Sequence, residues 1–423
     1  MRDVLIIGAG ASGLVAAIAA AGAGSRVTIL DKNARAGRKL LLTGNGHCNL
    51  SNTDSDLWFR FNGSDAASLK KAVYSLKKQF DTKKTLSFFL EQGLLTSEHD
   101  GFIYPASMQA SSVVQVLLRA CERLGVKMKY SETVLSVARD EHSGKWHAGT
   151  QGWTYSADAL ILCCGSPACP EGGGSMAGYG LVKETGHSLI APRPALTGLL
   201  CEGPGLREAK GARTNAMLSV LEPDPLTGAP VCRIKEYGQI QWTGDGISGI
   251  VAFQVSSFVS SRLAGGANSL TVETDLFPGE TEQSLAEKIS VIFRGISRQN
   301  VSQPTVLQDP KQILKGMIHE RLVPAVIGHF RGRDVTAVEL GHVLKHLSFR
   351  VKDTYGFDRA QVSAGGVPLS EINPDTFESK LQKDLFFAGE MLDADGPCGG
   401  YNLQWAWSTG YVAGSSAAKA GRE

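Results

Sequence analysis

"VLIIGAGASGLVAAIAAAGAGSRVTILD", residues 4–31, is the stretch whose reading decides the fold. Residues 4–7 are four apolar, strand-forming side chains in a row, the signature of a short buried strand. Gly8, Ala9, Gly10, Ala11, Ser12 and Gly13 follow at once, and an alanine-rich helical pattern then runs to about residue 23. Val27, Thr28, Ile29 and Leu30 read as a second strand ending in Asp31, 18 residues beyond Gly13. Each part of this βαβ opening has a physical reason. Gly8 allows the tight turn, Gly10 lets backbone approach a pyrophosphate, Gly13 lets helix and strand pack closely, and Ala11 and Ser12 open a helix whose N–H groups face the phosphates. Asp31 is placed to accept hydrogen bonds from a ribose, with Lys32 beside it.

The motif does not choose between NAD and FAD; the next segment bears on the choice. "GRKLLLTGNGHCNLSN", residues 37–52, combines glycines, paired basic residues and three asparagines, with too little periodicity for a helix or strand. It reads as a loop shaped around a ligand. Arg38 and Lys39 would offset pyrophosphate charge, while Asn45, Gly46, Cys48 and Asn49 suit a loop running beneath a polar ring system.

Further along, residues 66–94 are lysine-rich and helical in pattern, and residues 110–124 form an amphipathic helix. Strand patterns follow at 126–130, 133–138 and 157–164, the last running into Gly165. The glycines of residues 172–187 lack a strand before them and an acid after them, so they read as a turn before a short helix. Past residue 192 alternating segments at 196–201, 217–221, 238–243 and 269–276 indicate a small antiparallel β domain. Residues 309–330 and 335–347 read as helices, with Ile313, Met317, Leu322 and Val326 on a buried face. Strand and turn return near residue 351.

The tail, "GEMLDADGPCGGYNLQWAWSTGYVAG" at residues 389–414, has the parts of a second half-site. An apolar strand at 384–388 ends at Gly389. Glu390, Asp393 and Asp395 supply acceptors suited to ribityl hydroxyls, and Gly399 and Gly400 open a helix at Tyr401, Asn402 and Leu403. That helix N-terminus, aimed at the pyrimidine edge of a flavin, would stabilise an anionic reduced ring, with the glycine pair letting backbone N–H groups approach.

With 423 residues the chain exceeds one hydrophobic core. Its 43 basic and 41 acidic residues give a net charge of +2 without long runs of one sign, which argues against a dedicated nucleic-acid surface. The eight cysteines show neither a CxxC pair nor a fixed ladder, so reduced thiols in a cytoplasmic setting are expected and no metal site is. The longest early apolar run, residues 14–23, is too short to span a bilayer.

On the glycine turn, the 37–52 loop, "PALTGLL" at 194–200, "QWTGDGISG" at 241–249, "VSAGGVPLSEINPDTFESKL" at 362–381 and the tail, the chain resembles the BaiN/YhiN-type family of FAD-dependent NAD(P)H oxidoreductases, the aminoacetone oxidase-like flavoproteins, over essentially its whole length. The resemblance implies noncovalent FAD, a flavodoxin-like pyrophosphate site, and a β plus helical insert between the two FAD segments. It also implies that Val134 and residues 163–165, with Cys164 and Gly165, flank the adenosine half. The family commonly has threonine before the tail's glycine pair, where this chain has Cys398.

The expected fold is α/β, a Rossmann-like FAD-binding domain (residues 1–193 and 351–423) carrying an inserted antiparallel β domain (194–290) and a helical lobe (291–350). The expected activity is hydride transfer from NAD(P)H to flavin, then to a small-molecule acceptor; the resemblance implies a conjugated carbon–carbon double bond of a steroid-like compound. Proton-donor candidates are Tyr401, Cys48 and His47. An oxygen-dependent amine or aminoketone oxidase and a flavin-binding regulatory or RNA-associated protein stay open as alternatives, as does the oligomeric state. No nucleic-acid partner and no membrane insertion are expected.

Overall fold

The opening stretch folds as the strand Asp3–Ile7, the helix Ala11–Gly22 and the strand Arg26–Leu30 in the computed structural model, which describes residues 1–297, 307 and 309–419. These two strands are central to a five-stranded parallel sheet. Its order is Leu385–Phe387, Ala159–Leu162, Asp3–Ile7, Arg26–Leu30, Lys127–Lys129. Both faces of Ala159–Leu162 and Leu385–Phe387 are buried, which is why these strands read as unbroken apolar runs rather than alternating ones.

Numbered along the chain, the strands run 3-2-1-4-5 across the sheet. Asp3–Ile7 pairs with strands 2 and 4, the order of the dinucleotide-binding sheet, whereas a flavodoxin sheet would flank strand 1 with strands 2 and 3. Past the edge strand the chain runs through a three-stranded antiparallel meander (Val134–Arg139, Trp146–Thr150, Thr154–Ala157) and re-enters on the far side of strand 1. That reversal makes the carboxyl ends of strands 1 and 4 the switch point at which open α/β sheets generally bind their ligands.

Two local readings change. Residues 66–94 form two helices, Ala66–Gln79 and Thr82–Glu91, because Asp81 caps the second by accepting the Lys84 N–H at 2.9 Å. The 37–52 segment is more ordered than a loop: it makes a kinked 3-10 turn over Leu40–Gly46 and a two-residue strand, Ser51–Asn52, paired with Phe102–Pro105. The kink at Thr43, Gly44 and Asn45 defeats any periodic pattern.

The C-terminal helix Tyr401–Lys419 packs against Ala11–Gly22 with backbone against backbone. A Cβ on Gly410 would lie 2.4 Å from the Ser12 carbonyl oxygen, and one on Gly414 would lie 2.2 Å from that of Ala16. The i, i+4 spacing puts both glycines on one helix face.

Residues 194–360 form the second of two compact units, the first being residues 1–193 with 361 onward. It contains a closed six-stranded barrel, in the order Leu199–Glu202, Gly246–Ser248, Pro230–Trp242, Arg213–Pro223, Thr271–Asp275, Leu347–Thr354. The return expected at residue 351 is therefore corrected: Leu347–Thr354 pairs with both Leu199–Glu202 and Thr271–Asp275 and closes the barrel. Alternation along a strand tells which residues face a core, not which strands it joins. The separate helical lobe is corrected too. Leu285, Ile289, Ile313, Val326 and Leu340, from helices outside the barrel, share one core with Val220, Trp242 and Phe349.

The 309–330 helix is broken into Pro310–Lys315, a 3-10 turn over Glu320–Leu322, and Val323–Gly328. Residues 298–306 and 308 of the expected lobe, and 420–423 of the expected return, lie outside the described residues. Among the described residues, no helix is long and apolar enough to cross a membrane.

Candidate dinucleotide site

Four of the five parallel strands deliver an expected site residue at their carboxyl ends. Gly8 follows the first strand, Asp31 the second, Cys163, Cys164 and Gly165 the fourth, and Gly389 and Glu390 follow the last by way of Ala388. Parallel strands all end on one edge, so residues from opposite ends of the chain converge there.

At the first turn the glycines differ in purpose. Gly8 has φ +108°, and a Cβ on it would lie 2.3 Å from the Cys163 carbonyl oxygen. A Cβ on Gly13 would lie 1.9 Å from the carbonyl oxygen of Gly8. Packing within the protein demands both. Gly10 is different: it is the N-cap of Ala11–Gly22, no side chain caps it, no acid stands in the first turn, and a Cβ on it would meet nothing within 4 Å. The helix therefore begins beside open space with N–H groups that an anion can satisfy, and a diphosphate fits that cradle. Ser12 is buried, its hydroxyl 3.5 Å from the Ala388 carbonyl oxygen.

Asp31 holds the turn. Its Oδ2 accepts the Ala9 N–H at 2.6 Å, and its Oδ1 accepts the backbone and amide N–H groups of Asn33 at 2.7 and 2.9 Å. A carboxylate oxygen accepts two bonds, so Oδ2 keeps capacity for a ribose hydroxyl. Lys32 is exposed beside it. Arg38 donates to Asn33 Oδ1 at 2.9 Å and to the Glu171 carbonyl oxygen at 2.7 Å. Lys39 Nζ lies 2.6 Å from Glu390 Oε2, joining the N-terminal segment to the tail. Glu390 Oε1 also accepts the Ser166 hydroxyl at 2.8 Å and the Ser363 N–H at 2.9 Å. Sequence reading missed Asn33, Ser166 and Ser363. Ser166, next to Gly165 at the end of an apolar strand, carried a usable signal; Ser363 carried none.

The 37–52 segment does more for the protein than expected. Asn45 and Gly46 take left-handed backbone conformations, and His47 is exposed with Nδ1 2.7 Å from the Met108 carbonyl oxygen. Cys48 is fully buried, and burial pushes its thiol up to about 12. Asn49, with its amide nitrogen turned toward the carbonyls, donates to Ile103 at 3.1 Å and Ser51 at 2.8 Å. Val134 is itself buried and pairs with Thr150; it opens the strand Val134–Arg139, half of whose residues are exposed. The Cys164 N–H reaches Met391 Sδ at 3.1 Å.

The tail's glycine pair is pressed against other segments of the protein. Gly399 and Gly400 have φ +114° and +87°, and a Cβ on them would meet the Phe102 ring at 2.7 Å and the Ser51 carbonyl oxygen at 2.4 Å. Packing within the protein by itself therefore requires both positions to lack a side chain. The Asp393 carboxylate accepts the N–H and hydroxyl of Ser64, and Asp395 is bridged through its backbone to Asn62. Asn402 closes the preceding loop through both Gly396 backbone groups, and Leu403 packs half-buried on the core. Trp405 and Trp407 are buried and donate to the carbonyls of Gly389 and Leu50. Burial raises the Cys398 thiol to about 12.

Tyr401 starts the C-terminal helix and donates its hydroxyl to Asp54 Oδ2 at 2.8 Å. Burial and then Asp54 push its hydroxyl up to about 12. Burial alone would raise the Asp54 carboxyl, but the Asp56 N–H, the Tyr401 hydroxyl and Arg60 hold it below its ordinary value.

Residues 2–416 match the family described as HI0933-like protein Rossmann domain. The chain is 36% identical to the 3-dehydro-bile acid delta(4,6)-reductase of Clostridium scindens, covering 99% of this chain and 100% of that protein. It is 28% identical to the ribosomal RNA dihydrouridine synthase of Haemophilus influenzae, over 96% of each chain. It is 26% identical to that of Escherichia coli, over 97% of this chain and 96% of the other.

Proposed function

This chain belongs to the HI0933-like family, and on that premise we propose that it is an FAD-dependent reductase that draws hydride from NAD(P)H and saturates a carbon–carbon double bond conjugated to a carbonyl in a steroid-like small molecule. The observation that carries the reading is the full-length similarity to a bile-acid delta(4,6)-reductase, set beside a switch-point cradle that fits a dinucleotide. Bound FAD would supply a reversible hydride carrier. Gly10 and the first turn of Ala11–Gly22 would hold the pyrophosphate, Asp31 the adenosine ribose, and Lys39 with Glu390 the middle of the cofactor. Of the three candidate donors, Tyr401 is the one we assign to move a proton, from its Oη; Cys48 is sealed in the core and His47 points its ring at a backbone carbonyl. The reaction would proceed in the cytoplasm.

The test is anaerobic. The flavin-loaded protein is bleached with NADH or NADPH and then mixed with a 4,6-dien-3-one bile acid. Bleaching followed by reoxidation on the dienone is expected. Bleaching by an amine or aminoketone in place of the nicotinamide, with peroxide released once oxygen is admitted, would favour an amine or aminoketone oxidase.

A second reading has a specific observation behind it. Dihydrouridine is uridine with the double bond conjugated to a ring carbonyl saturated, so the two kinds of named relative share one type of bond. The helices Ala66–Gln79 and Thr82–Glu91 expose Lys70, Lys71, Lys77, Lys78, Lys83 and Lys84, with exposed Phe59 and Tyr74 among them and Lys77 Nζ 5.3 Å from the Phe59 ring. Basic side chains interleaved with aromatic ones suit an RNA backbone and its bases. Salt-sensitive binding of ribosomal RNA, with uridine consumed, would move the assignment to that substrate.

A further inference from the structure

The barrel unit carries a cluster unrelated to dinucleotide chemistry. His342 lies in the helix Ala337–Lys345 and His346 caps its C-terminal end, one turn apart on the same face. Glu282, the first residue of the helix Glu282–Ser297, stands against both rings. Its Oε2 is 3.0 Å from His342 Nδ1, and its Oε1 is 3.0 Å from His346 Nε2. The rings themselves are 4.6 Å apart between centroids. The other nitrogen of His346, Nδ1, lies 3.2 Å from Glu273 Oε1 on the barrel strand Thr271–Asp275.

We propose that His342, His346 and Glu282 bind a divalent transition-metal ion of the zinc class, with Glu273 orienting His346. Three observations converge on this. One ligand atom from each residue lies within 4.8 Å of the others. Zinc with ligand bonds of about 2.0–2.1 Å needs donor atoms roughly 3.3 Å apart, a change within reach of side-chain rotation at two exposed positions and one half-exposed one. Two imidazoles and one carboxylate are donors that suit zinc better than calcium or magnesium, which take oxygen. The Glu273 contact is the carboxylate–histidine pairing that would fix a ligating tautomer: with Nδ1–H donating to Glu273, a bound ion would take the Nε2 lone pair in place of the present Nε2 contact with Glu282 Oε1.

Two surface histidine–glutamate ion pairs would be the plainer account. Such pairs contribute little at exposed positions, and two rings crowding one carboxylate while a second carboxylate holds the far side of His346 is the arrangement of a ligand set. Bound there, the ion ties the start of Glu282–Ser297 to the end of Ala337–Lys345, and its fourth position opens to water. The cysteine pattern gave no hint of this site because its ligands are histidines and a carboxylate brought together from distant segments.

The experiment uses full-length, flavin-loaded protein stripped with EDTA, dialysed and titrated calorimetrically with zinc sulfate. One zinc per chain is expected. His342→Ala, His346→Ala and Glu282→Gln should each weaken binding at least about tenfold, and Glu273→Gln should weaken it about tenfold or less. Zinc should raise the thermal midpoint of the wild type and not that of the double histidine variant. Equal metal-free midpoints and flavin contents across the set show that the variants fold. No zinc uptake by the wild type, or uptake unchanged in the folded double histidine variant, overturns the proposal.

Discussion

The two glycine turns of the nucleotide unit, residues 8–13 and 399–400, look alike in sequence and differ in what fills the space beside them. At the tail, a Cβ on Gly400 would collide with the Ser51 carbonyl oxygen at 2.4 Å. At the first turn, Gly8 and Gly13 are closed in the same way, but Gly10 borders open space. Glycine therefore marks two things here: a strand pressed against a turn, and a cradle left empty for a ligand. Only the neighbours distinguish them.

Substitutions can break that contrast, beginning with the largest effect on stability. Gly400→Ala places a Cβ against backbone that cannot move away, at a φ that side chains avoid. It should cost about 3 kcal/mol or more, read as a fall in the urea midpoint, with flavin lost as a consequence of unfolding. Near-wild-type stability would show that the tail turn is free to open.

Glu390→Gln comes next. It leaves the Lys39 ammonium without its carboxylate while keeping the shape, and should cost about 1–3 kcal/mol. Flavin retention should fall beyond what that destabilisation explains; retention matching the wild type would remove Glu390 from the site.

Tyr401→Phe should cost about 1 kcal/mol while slowing reoxidation on the dienone by roughly 10²–10⁴. Its pH signature follows from the shifts. The raised hydroxyl favours folding fully below its ordinary value of 10.0 and loses that contribution as pH rises through about 12. The depressed Asp54 carboxyl contributes above its ordinary 3.8 and loses that as pH falls through its lower folded value. The stability difference between Tyr401→Phe and wild type should thus stay flat from about pH 5 to 9. A slope near neutrality would mean that another group titrates with the pair.

Gly10→Ala should change stability least, within about 0.5 kcal/mol, because φ at this position is −84° and the direction of the new methyl is empty. Flavin retention is nonetheless expected to fall at least tenfold, measured by absorbance after gel filtration, since the methyl occupies the cradle. An unaltered flavin content would place the pyrophosphate elsewhere.

The sequence by itself determined the strand–glycine–helix–strand–acid opening, because each of those signals is local: apolar runs, a turn that tolerates no side chain, a carboxylate at a fixed distance. It also marked the tail as more than a frayed end, and put Lys39 and Glu390 among the candidates without any sign that they meet. Tertiary structure alone decided the rest. That Lys39 reaches Glu390, that Glu390 is held by Ser166 and Ser363, and that Leu347–Thr354 closes a barrel instead of starting the return all depend on which strands pair. Alternation and composition report what a segment buries, and parallel order or barrel closure is set by packing between segments far apart in the chain. The same limit hid the histidine–glutamate cluster and the strand contacts that press on Gly399 and Gly400: a residue's type shows what it can touch, and only the fold shows what stands beside it.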